Sequence, residues 1–283
     1  MRFGLLLKRE KPEAKQLAEA LIAQLAGPSC EFVLIEQDGI HFAGTTCVPE
    51  SQFGKSIDAL VVLGGDGTFL VGSSLVSDHG VPILGVNLGS LGFMTHWTQA
   101  EAAEVVLAAA KGELPIEERM RLKVSLVEGG AVVAERSALN EAVLTQRSVS
   151  RLLDLEAESD GDLIATFKAD GLIVASPTGS TAYSLAAGGP ILTPQLEAMV
   201  LTPICPHTLT YRPVVMRADR RLTVRNVSPY QVTLTVDGQW AREMPPAAYV
   251  EISKAENPLR LYRPTNPFFA ILRQKLRWGE RQA

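Results

Sequence analysis

Over the first 115 residues, short apolar runs alternate with stretches of helical apolar spacing. Phe3–Leu7, Glu31–Ile35, Ala59–Leu63 and Pro82–Val86 are nearly uninterrupted hydrophobic segments of strand length, which predicts buried β-strands. Pro12–Ala26 carries Leu17, Leu21 and Leu25 at four-residue spacing and stops at Gly27-Pro28, so it predicts a helix. Thr68–Ser77 is a second helical stretch. Thr98-Gln99-Ala100-Glu101 has the form of a capping box ahead of an Ala/Val-rich helix that runs to Lys111-Gly112. Strands separated by helices predict a parallel sheet with helices on its faces.

The period changes near Glu113-Leu114-Pro115. Leu122, Val124 and Leu126 alternate with polar positions before Gly129-Gly130 turns the chain into Ala131–Ala134. Leu153, Leu155 and Ala157 alternate before Asp160-Gly161 and Leu163–Phe167, and Val232, Leu234 and Val236 alternate before Asp237-Gly238. Period-two runs joined by such dipeptides are hairpins, so residues 116–262 are expected to be mostly antiparallel β. The tail differs again. Asn266-Pro267 is a good N-cap and first-turn pair, and Phe268, Phe269, Leu272 and Leu276 form a helical apolar stripe with Arg273, Lys275 and Arg277 placed to suit the helix dipole. The expected organisation is an α/β domain with a parallel, Rossmann-like sheet (1–115), a mostly antiparallel β domain (116–262) and a C-terminal helix (263–283) docking back on the core.

Composition narrows the class without naming a function. The 283 residues are 46% hydrophobic and 20% charged, enough apolar matter for a sizeable core. A net charge of −4 lacks the basic excess of a general nucleic-acid or membrane-surface binder. The apolar start Met1–Leu7 is too short for a signal peptide, and no segment approaches a membrane span. Cys30, Cys47 and Cys205 are far apart, without metal-type or redox-type pairing. These features point to a cytoplasmic enzyme without nucleic-acid or membrane partners.

Three segments carry candidate chemistry. Gly64-Gly65-Asp66-Gly67-Thr68 follows a buried strand, and its glycines allow a ligand's phosphates to approach the backbone N–H groups. A lone carboxylate repels phosphate, so Asp66 is left to hold a metal, accept a proton or cap the following helix. The loop lacks the Gly-Lys-Ser/Thr of a P-loop, and Leu70 occupies the place of a third dinucleotide-fingerprint glycine. The second segment, Asp170–Ser184, combines a strand, a Pro177-Thr178-Gly179 turn and a helix start with Ser180 as N-cap and Gly188-Gly189-Pro190 as stop. Small hydroxyl side chains at a helix start suit polar ligand oxygens, and Tyr183 offers a flat face to an adenine ring. The third is Asn140-Glu141, where an amide reads a base edge and a carboxylate accepts from ribose hydroxyls. Neighbours on a strand face opposite sides, so both reach one ligand only at a strand end or bulge.

Taken together, Gly64–Thr68, Asn140-Glu141 and Asp170–Pro190 resemble the NAD kinases in order and spacing, and Thr202–Thr210 and Asp237-Gly238-Gln239 extend the likeness over most of the chain. The long block is the specific part, since lipid kinases and phosphofructokinases share the Gly-Asp-Gly loop. The resemblance implies transfer of the γ-phosphoryl of ATP to the 2′-hydroxyl of the adenosine ribose of NAD, giving NADP. It makes Asp66 the catalytic carboxylate, as general base or hydroxyl orienter, a contribution of roughly 10²–10⁴-fold. Phosphoryl transfer tends to have a loose transition state, so positioning and charge neutralisation carry more. Gly64, Gly65 and Gly67 would admit phosphates, with Mg²⁺ carried mainly by those of ATP. Asn140 and Glu141 become contacts to the adenosine half of NAD and Asp170 a contact to the nicotinamide half. Thr181, Ala182, Tyr183, Ser184, Leu185 and Ala186 surround the nucleotide, Gln239 is a further site residue, and Arg151 and Lys168 are basic candidates. Lys168 stands where arginine is frequent and bears on the choice of NAD over NADH. A homo-oligomer, dimer or tetramer, is also implied. A lipid or sugar kinase sharing the loop is the runner-up.

Overall fold

The computed structural model describes residues 1–76, 78–146, 152–263 and 268–278. The chain divides into two compact units, Met1–Glu118 with Leu259–Ala283, and Arg119–Pro258. In the first unit the strands β1 (Arg2–Leu7), β2 (Glu31–Ile35), β3 (Thr45–Val48), β4 (Ala59–Gly64), β5 (Ile83–Asn87), β6 (Trp97–Thr98) and β7 (Ile116–Arg119) are interleaved with helices. The helices are α1 (Pro12–Leu25), α2 (Glu50–Phe53), α3 (Asp66–Val76) and α4 (Ala102–Ala110). The strands run side by side in the order β3-β2-β1-β4-β5, every pair parallel. Because both faces are covered, Ala59–Leu63 is wholly buried, which is why it reads as an unbroken apolar run. α1 and α4 pack on the face carrying Leu5, Val61 and Leu63. The opposite face, with Leu6, Leu60 and Val62, lies against α3 at Gly72. The strand order reverses between β1 and β4, and open α/β sheets bind ligands at the carboxyl ends of the strands flanking such a point. Gly64-Gly65-Asp66-Gly67 sits at the carboxyl end of β4.

The second unit is a sandwich of two six-stranded antiparallel sheets. Its strands are β8 (Leu122–Glu128), β9 (Ala131–Ala138), β10 (Glu141–Gln146), β11 (Leu153–Ser159), β12 (Asp162–Ala169) and β13 (Gly171–Ala175). A one-turn helix α5 (Tyr183–Ala186) precedes β14 (Ala198–Ile204), β15 (Val214–Arg217), β16 (Leu222–Asn226), β17 (Val232–Val236), β18 (Trp240–Met244) and β19 (Tyr249–Lys254). One sheet is ordered β15-β14-β13-β10-β17-β18 and the other β12-β11-β16-β19-β8-β9. The alternating residues Leu122, Val124, Leu126, Leu153, Leu155, Val232 and Leu234 all point into the shared core. β10 and β13 are buried on their other face as well, where Val143, Ile173 and Ala175 pack against Leu192. The hairpins Asp160-Gly161 and Asp237-Gly238 have both residues at positive φ, the type I′ geometry that matches strand twist.

The chain then returns to the first unit. β20 (Leu259–Tyr262) pairs in parallel with β5 and lies between β5 and β7. α6 (Phe268–Leu276) follows, its Ile271 and Leu272 buried. Phe268 stacks on Phe93 with centroids 6.5 Å apart, and the Lys275 ammonium lies 5.2 Å from the Phe93 ring centroid. The expected fold class, including the C-terminal helix on the core, is the observed one. The proposed cap at Asn266-Pro267 lies outside the described residues.

Candidate active site

The glycine loop folds differently from a simple capped turn. α3 starts at Asp66 itself, so this residue is not the cap of its own helix. Its carboxylate faces the segment after β5. Phe93 donates its N–H to Oδ2 at 2.8 Å, while the Met94 and Thr95 N–H groups and the Thr95 hydroxyl donate to Oδ1 at 3.1, 3.2 and 3.2 Å. Three successive amides and a hydroxyl form a cradle of positive partial charge, reinforced by the N-terminal end of the helix. The cradle needs Gly92, because a Cβ there would collide with the Asp66 carboxylate and the Thr95 hydroxyl. Asn87 braces the same loop: its Nδ2 donates to Ser90 O, and its Oδ1 accepts from Gly89 N at 2.6 Å. Space beside Gly65 and Gly67 is open, with no atom within 4 Å of where a Cβ would stand, whereas Gly64 packs tightly on Thr68.

A second cluster forms in the β sandwich. Asn140 immediately precedes β10 and Glu141 opens it, so the pair lies at the strand end that a shared ligand requires. The backbone here is held from two sides. Ser176 donates its N–H to Asn140 O at 2.8 Å and its hydroxyl to Leu139 O, and Gly179 packs so closely on Asn140 that a Cβ would strike its carbonyl. From the other side Asp237 accepts the N–H groups of Leu139, Asn140 and Glu141 at 2.7, 2.8 and 3.0 Å. Glu141 is buried, and its Oε2 has no hydrogen-bond partner. Burial, then the neighbouring Asp237 charge, pushes the Glu141 carboxyl up to about 8. Burial also raises Asp237, opposed by the three backbone amides and by the charge of Arg121.

Residues 176–189 correct one expectation. In place of a helix capped by Ser180 there is a 3₁₀ turn, Gly179–Thr181, and then the single turn α5. Ser180 donates to Pro177 O at 2.6 Å and accepts the Leu192 N–H at 2.9 Å, tying the loop down instead of capping it. Hydroxyl side chains bond locally to carbonyls three residues back, which competes with helix extension. Ser184 is buried against Thr202, Oγ to Oγ1 2.9 Å. The Thr178 hydroxyl is buried without a partner. Tyr183 is 44% exposed, Thr181, Ala182 and Leu185 are half-buried, and Ala186 is exposed. Asp170 accepts from Gln146 Nε2 at 3.3 Å, Lys168 is exposed on β12, and Gln239 is exposed in the β17–β18 turn. Arg151 lies outside the described residues.

Sequence reasoning missed the two supports. The cradle loop was signalled by Asn87-Leu88-Gly89-Ser90-Leu91-Gly92, a glycine-rich break at the carboxyl end of a parallel strand. Asp237 was visible as half of a hairpin turn and as part of the Asp237-Gly238-Gln239 likeness, with no role of its own. Among the described residues no three His, Cys, Asp or Glu side chains gather to hold a metal ion.

A glycine loop with a cradled carboxylate at a sheet switch point, and a sandwich with buried unpartnered oxygens on Glu141 and Thr178, fit a nucleotide-dependent phosphotransferase. Residues 3–114 match the ATP-NAD kinase N-terminal domain and residues 139–264 the ATP-NAD kinase C-terminal domain. The chain is 44% identical over 270 residues to the NAD kinase of Geotalea daltonii, covering 95% of this chain and 94% of the relative. It is 42% identical to the NAD kinase of Citrifermentans bemidjiense, with 99% of each covered. Among solved structures, yeast NADH kinase complexed with NADH superposes with a TM-score of 0.91 at 25% identity, covering 100% of this chain and 89% of that one. An NAD kinase from Archaeoglobus fulgidus in complex with ATP gives 0.79 at 27% identity, covering 98% and 99%. The chain belongs to the NAD kinase family, phosphotransferases that use ATP to phosphorylate an alcohol group of NAD and so make NADP.

Proposed function

We propose that Asp66 acts on the 2′-hydroxyl of the adenosine ribose of NAD, orienting it and taking its proton, and that the Asn140–Glu141 cluster recognises the dinucleotide. The observation that carries this is the unequal loading of Asp66. Oδ1 accepts three hydrogen bonds but Oδ2 only one, so Oδ2 keeps a lone pair for a substrate hydroxyl while the cradle fixes its direction. Open space at Gly65 and Gly67 supports the approach of ATP phosphates to the loop. Mg²⁺ would ride on those phosphates, with Asp66 Oδ2 the one carboxylate oxygen of the loop able to join them. When bound, the ion neutralises phosphoryl charge. The unpartnered Glu141 Oε2 supports a role as acceptor for ribose hydroxyls, and exposed Tyr183 a role as stacking face for the adenine. Asp170 would meet the nicotinamide half, with Thr181, Ala182, Leu185, Ala186 and Gln239 around the nucleotide, and Lys168 and Arg151 as basic contacts. Buried Ser184 serves by anchoring α5 to β14.

A cytoplasmic setting and a homo-oligomer, dimer or tetramer, complete the reading. No helix among the described residues is long and apolar enough to cross a membrane. Light scattering would give the oligomer number. The decisive assay follows NADP from purified protein with ATP, Mg²⁺ and NAD, for the wild type and Asp66→Asn. The variant should lose at least about 10²-fold in turnover while still binding NAD. Near-normal turnover would remove Asp66 from the chemistry, and a lipid or sugar product in place of NADP would remove the acceptor assignment.

A further inference from the structure

We infer that Asp237 is a positioning residue for the dinucleotide subsite, a backbone clamp that fixes Asn140 and Glu141 at the mouth of β10. Asp237 need not touch the ligand. Its two oxygens accept three consecutive backbone N–H groups, from Leu139, Asn140 and Glu141, and its own N–H returns a bond to Glu141 O at 3.0 Å. Three donors converging on one side chain demand an acceptor-only group with several lone pairs. A carboxylate meets that demand, and an amide, with one oxygen and two donors of its own, does not.

The local backbone shows how the clamp is built. Asp237 has φ 50° and Gly238 φ 64°, so the side chain is launched from a type I′ turn that binds β17 to β18. Asp and Asn both tolerate this conformation, whereas the ring of hydrogen bonds tolerates only Asp. On the opposite side, Ser176 and Gly179 close on the same peptide units. Asn140 therefore sits between two fixed walls, with its own side chain making none of these bonds. Glu141, one residue on, has a buried oxygen with no protein partner. The pair is anchored through its backbone, leaving its side chains to a ligand. A buried carboxylate carries a desolvation cost, met here by three backbone donors, and a turn alone requires no such arrangement.

The inference rests on the reading that Asn140 and Glu141 contact NAD, and the experiment separates the two. Steady-state kinetics and NAD titration are measured for Asp237→Asn, Glu141→Gln, Asn140→Ala and the Asp237→Asn/Glu141→Gln double variant, with melting temperatures alongside. Asp237→Asn keeps size and turn and loses one acceptor to a facing donor. It should raise the KM for NAD by about 10- to 100-fold, the loss expected for hydrogen bonds to a charged group. The KM for ATP and kcat at saturating NAD should stay within about threefold, because the Asp66 cradle is made entirely of first-unit residues. The double variant should be less than additive, since both changes act on one peptide segment. A uniform loss of kcat with unchanged KM for NAD would show a merely structural Asp237 and overturn the inference. If Glu141→Gln and Asn140→Ala leave the KM for NAD unchanged, the subsite reading itself fails and the inference with it. Should Asp237→Asn fold poorly, Asp237→Ser, which retains one acceptor oxygen, must show the same selective rise in KM for NAD, or the inference fails.

Discussion

Glu141 is protonated at neutral pH in the free protein, since burial and the Asp237 charge put its carboxyl at about 8. The consequence for stability has a definite sign. The folded state keeps a proton that the unfolded chain releases near pH 4.5, so this contribution is complete below that point and drains away as pH rises towards 8. Between pH 6 and 8 the wild type should lose about 2 kcal/mol relative to Glu141→Gln, which has no proton to lose. Thermal melts of both proteins across that range check it, and parallel curves would show that Glu141 does not titrate there. On the proposed reading, ribose hydroxyls donating to Glu141 favour its ionised form. NAD uptake at pH 7 should then release a proton, seen in calorimetry as a heat that varies with the buffer's ionisation enthalpy. At this scale Asp66, Asn140 and Glu141 were singled out by the sequence as candidates, from glycines around a carboxylate and an amide–acid pair beside an apolar run. Asp237 was not, because its role depends on amides nearly a hundred positions away in sequence that only the β10–β17 pairing brings beside it.

Elements explain why the first cluster holds its shape. The cradle is a loop between β5 and β6, roofed by α6 through Phe93 and Phe268 and closed underneath by Gly92. Gly92→Ala should push the Asp66 carboxylate aside and cost about 10²-fold in turnover, the penalty of roughly an ångström of misplacement, with a lower melting temperature from the cradle hydrogen bonds lost. Normal activity in that variant would mean that the cradle is not needed for catalysis. Hairpins such as Asp237-Gly238 were legible because only a few dipeptides adopt two successive positive φ values. The helix expected from Ser180 was misread because its hydroxyl turns back to Pro177 O, and that preference depends on the burial of the loop. β3 also escaped, since Thr45–Val48 is a half-buried edge strand without a long apolar run.

At the scale of the whole molecule, the first unit is not contiguous in sequence. β20 fills the place between β5 and β7, and α6 holds Phe93, yet both come after the entire sandwich. Nothing in the pattern of Leu259–Tyr262 announced an interior position, because Leu-Arg-Leu-Tyr is short and carries a charge, as edge strands do. A chain ending at Pro258 would leave β5 paired with β4 and β6 but without β20, and the cradle without its roof. Such a chain should form no measurable NADP, and hydrogen exchange should show the β5 amides losing protection while those of β10 and β13 keep theirs. Full protection of β5 would mean that the sheet closes without its last strand. The same interruption sets a timetable during synthesis. Synthesis runs from the N terminus, so every strand of the sandwich is made before β20 and α6, and the first sheet gains the strand between β5 and β7 only afterwards. A chain halted between the two would thus hold every strand of the sandwich while its first sheet still had a gap beside β5.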